Sequence, residues 1–141
     1  TMPYSYLAMT RRSPYIDDHK HEGQEGTGSA TIRIVGRKYL FIYPFVKTLE
    51  WYQLPKEERQ ALMNEHFVIG HKYPAVKIST AYSFGLDDQE FVLGFETDNP
   101  SNFLDLVMDL RESRARPYTM LDTPIFSCIS KSVEACLDDL G

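Results

Sequence analysis

Tyr39-Leu40-Phe41-Ile42-Tyr43-Pro44-Phe45-Val46 restricts the fold more than any other segment, being dense in aromatic and β-branched residues. Such side chains fit a pleated, half-buried surface, so the segment reads as a strand that later elements must cover. Pro55 stands where a helix's first turn tolerates proline, and Glu57 and Glu58 come next, where carboxylates suit the helix dipole. Leu62, Met63, His66, Ile69 and Gly70 then recur at i, i+3 and i+4 spacing, which predicts a helix over about 55–70. Tyr73-Pro74 ends it, because the residue before proline disfavours the α region.

Val76–Phe84 and Glu90–Glu96 read as two strands joined by a turn at Gly85-Leu86-Asp87-Asp88. Asn99-Pro100 has the form of an N-cap with proline at the first helical position. Phe103, Leu106, Val107 and Leu110 form an apolar stripe opposed by Asp105, Asp109 and Glu112, which predicts a helix over about 100–115. Tyr118–Ile129 reads as a last strand interrupted by Pro124, and Ser132–Leu140 as a short terminal helix. From residue 38 the order is strand, helix, strand, strand, helix, strand. That is the split βαβ order of a ferredoxin-like α+β module, with an antiparallel sheet and helices on one face.

Residues 1–37 form a separate N-terminal part ahead of the module at 38–141. Residues 4–12 alternate bulky with small or polar side chains, a weak strand signal, and Ile32–Val35 is a second short one. Between them Pro14, Asp17, Asp18, Gly23, Gly26 and Gly28 mark a polar loop over 13–30. His19-Lys20-His21 lies in that loop, but with no third ligand nearby it reads as solvated. The chain opens at Thr1 rather than Met, in keeping with a processed or excised end.

With 141 residues, of which 43% are apolar and 25% charged, the chain can bury one core. Its net charge of −5, without a Lys/Arg stripe, argues against a nucleic-acid partner, whose polyanionic backbone demands a basic footprint. No apolar run approaches the length of a transmembrane helix, and no signal-peptide h-region precedes a small-residue cleavage site. Cys128 and Cys136 lack CxxC spacing and a neighbouring histidine, so they read as reduced, partly buried thiols. That places the protein in the cytoplasm or the equivalent reducing compartment of an organelle.

Among chemistry-bearing residues, His66 comes first. A lone histidine on an apolar helix face is ordinarily a core residue. His71 lies about 140° further round the helix, so the two cannot share a metal as an i, i+4 pair would. No GxSxG, P-loop, HExxH or dinucleotide fingerprint occurs.

Several segments in order nonetheless resemble one family. Tyr43-Pro44-Phe45-Val46-Lys47, Trp51-Tyr52-Gln53-Leu54 and Glu57-Glu58-Arg59 resemble the stretch before the haem-ligand helix of coproheme decarboxylases. Glu65-His66-Phe67-Val68-Ile69-Gly70-His71-Lys72-Tyr73 and Ser83-Phe84-Gly85-Leu86-Asp87-Asp88-Gln89-Glu90-Phe91 resemble the helix itself and a later turn. The match runs from about 38 to 128, within the superfamily of chlorite dismutases and coproheme decarboxylases. The resemblance implies a dimeric α+β barrel built from two ferredoxin-like halves, of which this chain holds mainly the second. It also implies a tetrapyrrole partner, haem b or coproheme, and a homo-oligomer (a pentamer in many relatives) or attachment to another protein chain.

Carried over residue by residue, the resemblance makes His66 the axial iron ligand and Tyr43 the catalytic tyrosine that is oxidised to a radical during propionate decarboxylation. Lys47 becomes a basic partner of the propionates. Ile78 takes the distal position where chlorite dismutases carry an arginine and many decarboxylases a glutamine. An isoleucine offers neither charge nor hydrogen bond, so chlorite chemistry is not expected. Lys77 beside it should point to the opposite face of the strand. Phe45 stands where methionine is usual. The proximal glutamate of chlorite dismutases has Arg114 near its place here, which would not raise imidazole basicity as a carboxylate does; Glu112 is a nearby carboxylate that could reach. Three readings stay open: a coproheme decarboxylase-like oxidoreductase, a tetrapyrrole carrier or sensor without turnover, and a structural subunit that has lost the cofactor.

Overall fold

A computed structural model of the chain describes residues 4–15 and 34–141. The loop read at 13–30, with His19 and His21, lies outside the described residues from 16 onward. So do Ile32 and Arg33.

The predicted strand forms as β1 (Tyr39–Lys47), followed by a short helix α1 (Leu49–Gln53) that local sequence pattern does not separate from it. The remaining elements are α2 (Lys56–His71), β2 (Lys77–Tyr82), β3 (Phe91–Thr97) and α3 (Pro100–Glu112), then a single 3-10 turn at Arg116–Tyr118. β4 (Thr119–Leu121), β5 (Phe126–Ile129) and α4 (Val133–Asp138) close the chain. The sheet runs β2-β3-β1-β4 with β5 also on β1, and every pairing is antiparallel. This is the ferredoxin-like order, with β1 at its centre.

Register decides which residues meet. Phe41 lies opposite Phe95, which lies opposite Ile78; Tyr43 lies opposite Leu93, which lies opposite Thr80. Side chains alternate along a strand, so Tyr39, Phe41, Tyr43 and Phe45 share one face, and α2 and α3 cover that face. The core there joins Phe41, Tyr43, Val76 and Phe95 to Phe103 and Leu106 of α3, with Ile69 of α2 and Ile78 packed against it. Phe41 and Phe103 stack at 4.0 Å between ring centroids. A second cluster of Trp51, Leu62 and Ala115 seats α1 and α2 against the turn after α3.

Helix starts follow their residues. Asn99 accepts a hydrogen bond from the Ser101 N–H at 3.0 Å with Pro100 behind it, and Ser132 caps α4 by accepting from Ala135 N–H at 3.2 Å. α3 stops at Glu112 rather than 115 because Ser113 turns extended and its hydroxyl donates to the Leu110 carbonyl at 2.8 Å.

Several expectations are corrected. Residues 4–12 are not a strand: Met9 alone pairs, with Tyr82, and the Leu7 N–H goes to the Asp87 carboxylate rather than to a ladder. Ile34 and Val35 are not a strand either. The Val35 and Gly36 N–H groups donate to the buried carboxylate of Glu96, at 3.1 and 3.0 Å, instead of to a neighbouring strand. Gly36 holds φ at +73°, a conformation that glycine adopts freely. The last strand is two short ones, β4 and β5, around Pro124, which has no N–H to give. Cys128 and Cys136 are exposed, not partly buried, because β5 lies on the open side of β1 and α4 has no buried residue. Among the described residues no helix is long and apolar enough to cross a membrane.

Leu106 has no exposed surface, whereas Leu104, two residues before it, is 56% exposed. Leu106→Ala should therefore lower unfolding free energy by about 2–5 kcal/mol. Leu104→Ala should stay within about 0.5 kcal/mol of the parent. Urea unfolding followed by circular dichroism measures both.

Candidate functional site between helix α2 and the sheet

The alternation that places Tyr43 and Phe45 under the helices carries on to Lys47 at the end of β1. Its backbone N–H donates to Glu90 Oε2 at 2.8 Å, and the same oxygen accepts from the Tyr52 hydroxyl at 2.6 Å. The Lys47 ammonium lies 4.2 Å from the Trp51 ring centroid and 5.2 Å from that of Phe45, an aromatic seat that attracts a cation. Burial lowers its pKa to about 8, with Arg116 pushing the same way and Glu90 opposing.

His66 faces this lysine from the third turn of α2. Its neighbours along the face have different contacts: Leu62 joins the Trp51 cluster, Ile69 the main core, and Gly70 meets Ile78. A Cβ on Gly70 would sit 3.6 Å from the Ile78 Cδ1, so helix and strand approach closely there. His66 is half-buried, yet desolvation, and then the Lys47 charge, lower its pKa to about 4. Near neutral pH the imidazole is uncharged with a free lone pair, the state that coordinates iron. Among the described residues its ring meets Phe67 and no side chain hydrogen-bonds it.

Tyr43 lies 7% exposed on the same sheet face, its ring stacked on Phe95 at 5.5 Å. Burial raises its pKa, as does the Asp122 charge, against Arg111 and Arg116. Those three side chains are one array: Arg111 Nη2 and Arg116 Nη1 each lie 2.8 Å from Asp122 Oδ2. The structure thus gathers Tyr43, Lys47, His66 and Ile78 on one side of the sheet, with two guanidiniums beside them.

Lys77 pairs in register with Glu96, on the opposite face from Ile78, as the alternation requires. Glu112 does not bond His66. It lines an open cleft of about 200 Å³ with Glu65, Asp109 and Lys72. Arg114 is not beside the ring either: its N–H donates to Glu65 Oε1 at 3.0 Å and its Nε to Oε2, tying α2 to the segment after α3.

Sequence reasoning missed Trp51, Glu90, Arg111, Arg116 and Asp122. A Lys–x–x–x–Trp spacing across a strand end was the available signal for Trp51. The arginine array had none, since its members meet only through the fold.

Residues 1–131 match the family model described as chlorite dismutase. The chain belongs to the chlorite dismutase family. It is 41% identical over 96 residues to the coproheme decarboxylase of Mycolicibacterium smegmatis, covering 68% of this chain and 42% of that one. With the coproheme decarboxylase of Staphylococcus carnosus it shares 32% over 124 residues, 80% of this chain and 50% of that protein. Among solved structures, a heme-binding protein from Thermus thermophilus superposes with a TM-score of 0.83 at 25% identity, covering 97% of this chain and 57% of that one. The chain therefore spans about half the length of these family members. The two enzymes place it nearer the coproheme decarboxylase branch.

The low His66 pKa has a measurable consequence. In an unfolded chain histidine titrates near 6.5, so the unfolded state binds the proton first as pH falls. The stability contribution is full above that value and is lost as pH drops from about 6.5 to about 4. Imidazole resonances followed by NMR should titrate near pH 4 in the parent and at higher pH in Lys47→Met, where the like charge is gone.

Proposed function

We propose that the chain binds an iron tetrapyrrole, haem b or coproheme, between α2 and the sheet, and serves coproheme decarboxylase-like chemistry. The observation that carries this reading is an uncharged imidazole, His66, on a helix that covers the sheet face bearing a buried cation, Lys47, and a buried phenol, Tyr43. The donor set fits the group. One neutral imidazole would suffice as the protein's iron ligand, since a tetrapyrrole brings its own, so no cluster of protein ligands is needed. Lys47, Arg111 and Arg116 suit its carboxylates, which guanidinium and ammonium groups bind by charge-assisted hydrogen bonds. The names of the family members above, two decarboxylases and a heme-binding protein, support the same reading.

When bound, the iron porphyrin supplies the redox chemistry. The protein's part is to hold and to tune. His66 would hold the ring from α2, over the apolar sheet face of Phe45, Leu93 and Ile78. Lys47 is held on Trp51, with its backbone N–H on Glu90, and so presents its charge at a set place. Tyr43 Oη keeps its proton across the neutral range because burial disfavours the phenolate. It is a neutral hydroxyl group in that range.

His66→Ala should abolish the Soret change on titration with micromolar coproheme while the melting curve stays cooperative. Tyr43→Phe should bind coproheme as the parent does and fail to decarboxylate it. A parent protein that gives no Soret change would refute the cofactor reading and leave a structural role.

Ile78 generates a further expectation. It packs on Gly70 with no charge or hydrogen bond to offer, so nothing at that position steers or retains an oxyanion. Oxygen-electrode measurements on the haem-loaded protein should show no oxygen release from chlorite. Rapid release would show that another residue occupies the distal position.

A further inference from the structure

The turn between β2 and β3 holds buried polar groups that the tetrapyrrole reading does not use. Ser83 has no exposed surface and Gln89 is 6% exposed. Buried hydroxyl and amide groups must find partners, and here they find them in the N-terminal segment. The Ser83 hydroxyl donates to the Leu7 carbonyl and accepts from Gln89 Nε2 at 3.1 Å. Asp87 Oδ2 accepts from the Leu7 N–H at 2.8 Å and from Gln89 Nε2 at 3.1 Å. Both backbone polar groups of Leu7 are thereby gripped by side chains of the turn.

The flanking contacts extend the grip. Met9 and Tyr82 exchange two backbone hydrogen bonds, each 2.7 Å, and the Arg11 guanidinium lies 5.6 Å from the Tyr82 ring centroid. At the other end, Tyr4 and Tyr6 meet Phe126 edge-on at 6.0 and 6.1 Å. Residues 4–9 thus run from β5 to the far edge at β2, across the sheet face that carries no helix.

The Ser83 backbone reaches the other end of the turn. Its N–H donates to the Glu90 carbonyl at 2.8 Å and closes the turn. Glu90 is the residue whose carboxylate holds the Lys47 N–H and the Tyr52 hydroxyl. The rings of Tyr52, Phe84 and Phe91 pack in the same direction, at 6.3 and 5.0 Å. A continuous line of contacts therefore leads from Leu7 through Ser83 and Glu90 to Lys47. Removing the strap would leave the Ser83 hydroxyl and the Leu7-facing oxygen of Asp87 without these partners, and the turn would have to rearrange to satisfy them.

We propose that residues 4–9 are a strap whose docking on Ser83, Asp87 and Gln89 fixes Glu90, and that Glu90 is thereby a positioning residue for Lys47. The coupling stands on the contacts alone; only its consequence for ligand binding rests on the tetrapyrrole reading. Glu90 touches no ligand itself and acts through the backbone of Lys47.

Amide hydrogen exchange on the full chain, followed residue by residue by NMR, tests the coupling. Met9→Pro removes a strap N–H that bonds Tyr82 and leaves the turn's own side chains intact. The expected result is exchange at least about tenfold faster at Leu7 and at Lys47, with Phe41 and Phe95 as protected as in the parent. Glu90→Gln should speed Lys47 and leave Leu7 and the Met9–Tyr82 pair unchanged. The proposal is overturned if Leu7 is released and Lys47 keeps its protection. Equal acceleration at Lys47 and Phe41 in Met9→Pro also overturns it, because the effect is then a general loosening. A coproheme titration of the same proteins separates this from the functional reading. A parent that takes up no coproheme refutes the latter, and the exchange data still decide the former.

Discussion

The two-residue repeat of β1 divides its side chains so that one face serves both the core and the site. This single strand supplies Phe41 to the core under α3, Tyr43 to the stack on Phe95, Phe45 to the floor and Lys47 to the site. A one-residue slip against β3 would exchange the two faces of the strand and bury Leu40 and Ile42 in their place. The register is secured from both sides, since β1 pairs with β3 along seven residues and with β4 and β5 on its other edge. The irregularity between Val46 and Lys47 falls where the strand leaves the ladder for α1. It is there that the Lys47 N–H turns to a side-chain carboxylate.

Burying a cation at that point is costly unless something receives it. The Trp51 face, the nearby Glu90 carboxylate and the lowered basicity of the amine itself together accommodate it. Arg116 adds a like charge, and Asp122 offsets that charge and Arg111's with a single oxygen. The region is thus richer in positive than negative groups although the whole chain carries −5. Burial, and then the Lys47 charge, keeps His66 uncharged.

The fold is legible in the sequence because its elements carry local signals: the aromatic density of β1, the Asn99-Pro100 start of α3, and the apolar periodicity of α2 and α3. The errors lie where tertiary partners override local preference. Val35 and Gly36 turn to the Glu96 carboxylate, and Leu7 to Asp87 and Ser83, and no alternation pattern encodes a backbone group satisfied by a distant side chain. The apolar neighbours of Cys128 suggest partial burial, but β5 turns them to the open side. The site shows the same division. Tyr43, Lys47 and His66 are picked out by motif resemblance, and strand parity sets Tyr43 and Lys47 on one sheet face. Arg111, Arg116 and Asp122 come from three separate parts of the fold and share nothing in sequence that marks them as a unit.

The Ser83-Phe84-Gly85-Leu86-Asp87-Asp88-Gln89-Glu90 stretch is where resemblance and geometry can be compared directly. As a motif it serves to mark the family. Atom by atom, its polar members have separate duties. Ser83 and Asp87 hold Leu7, Gln89 braces both, Gly85 supplies the φ of +70° that the turn needs, and Glu90 fastens Lys47 and Tyr52. Their hydrogen bonds run to Leu7, to one another, to Lys47 and to Tyr52, and none goes to His66. Exchanging Ser83, Asp87, Gln89 or Glu90 strands a hydrogen-bond partner whatever the ligand or reaction, whereas Phe84, Gly85, Leu86 and Asp88 are exposed. Its likeness to the relatives therefore speaks to how the sheet is braced at its open end, whereas the case for chemistry has to come from Tyr43, Lys47 and His66 themselves.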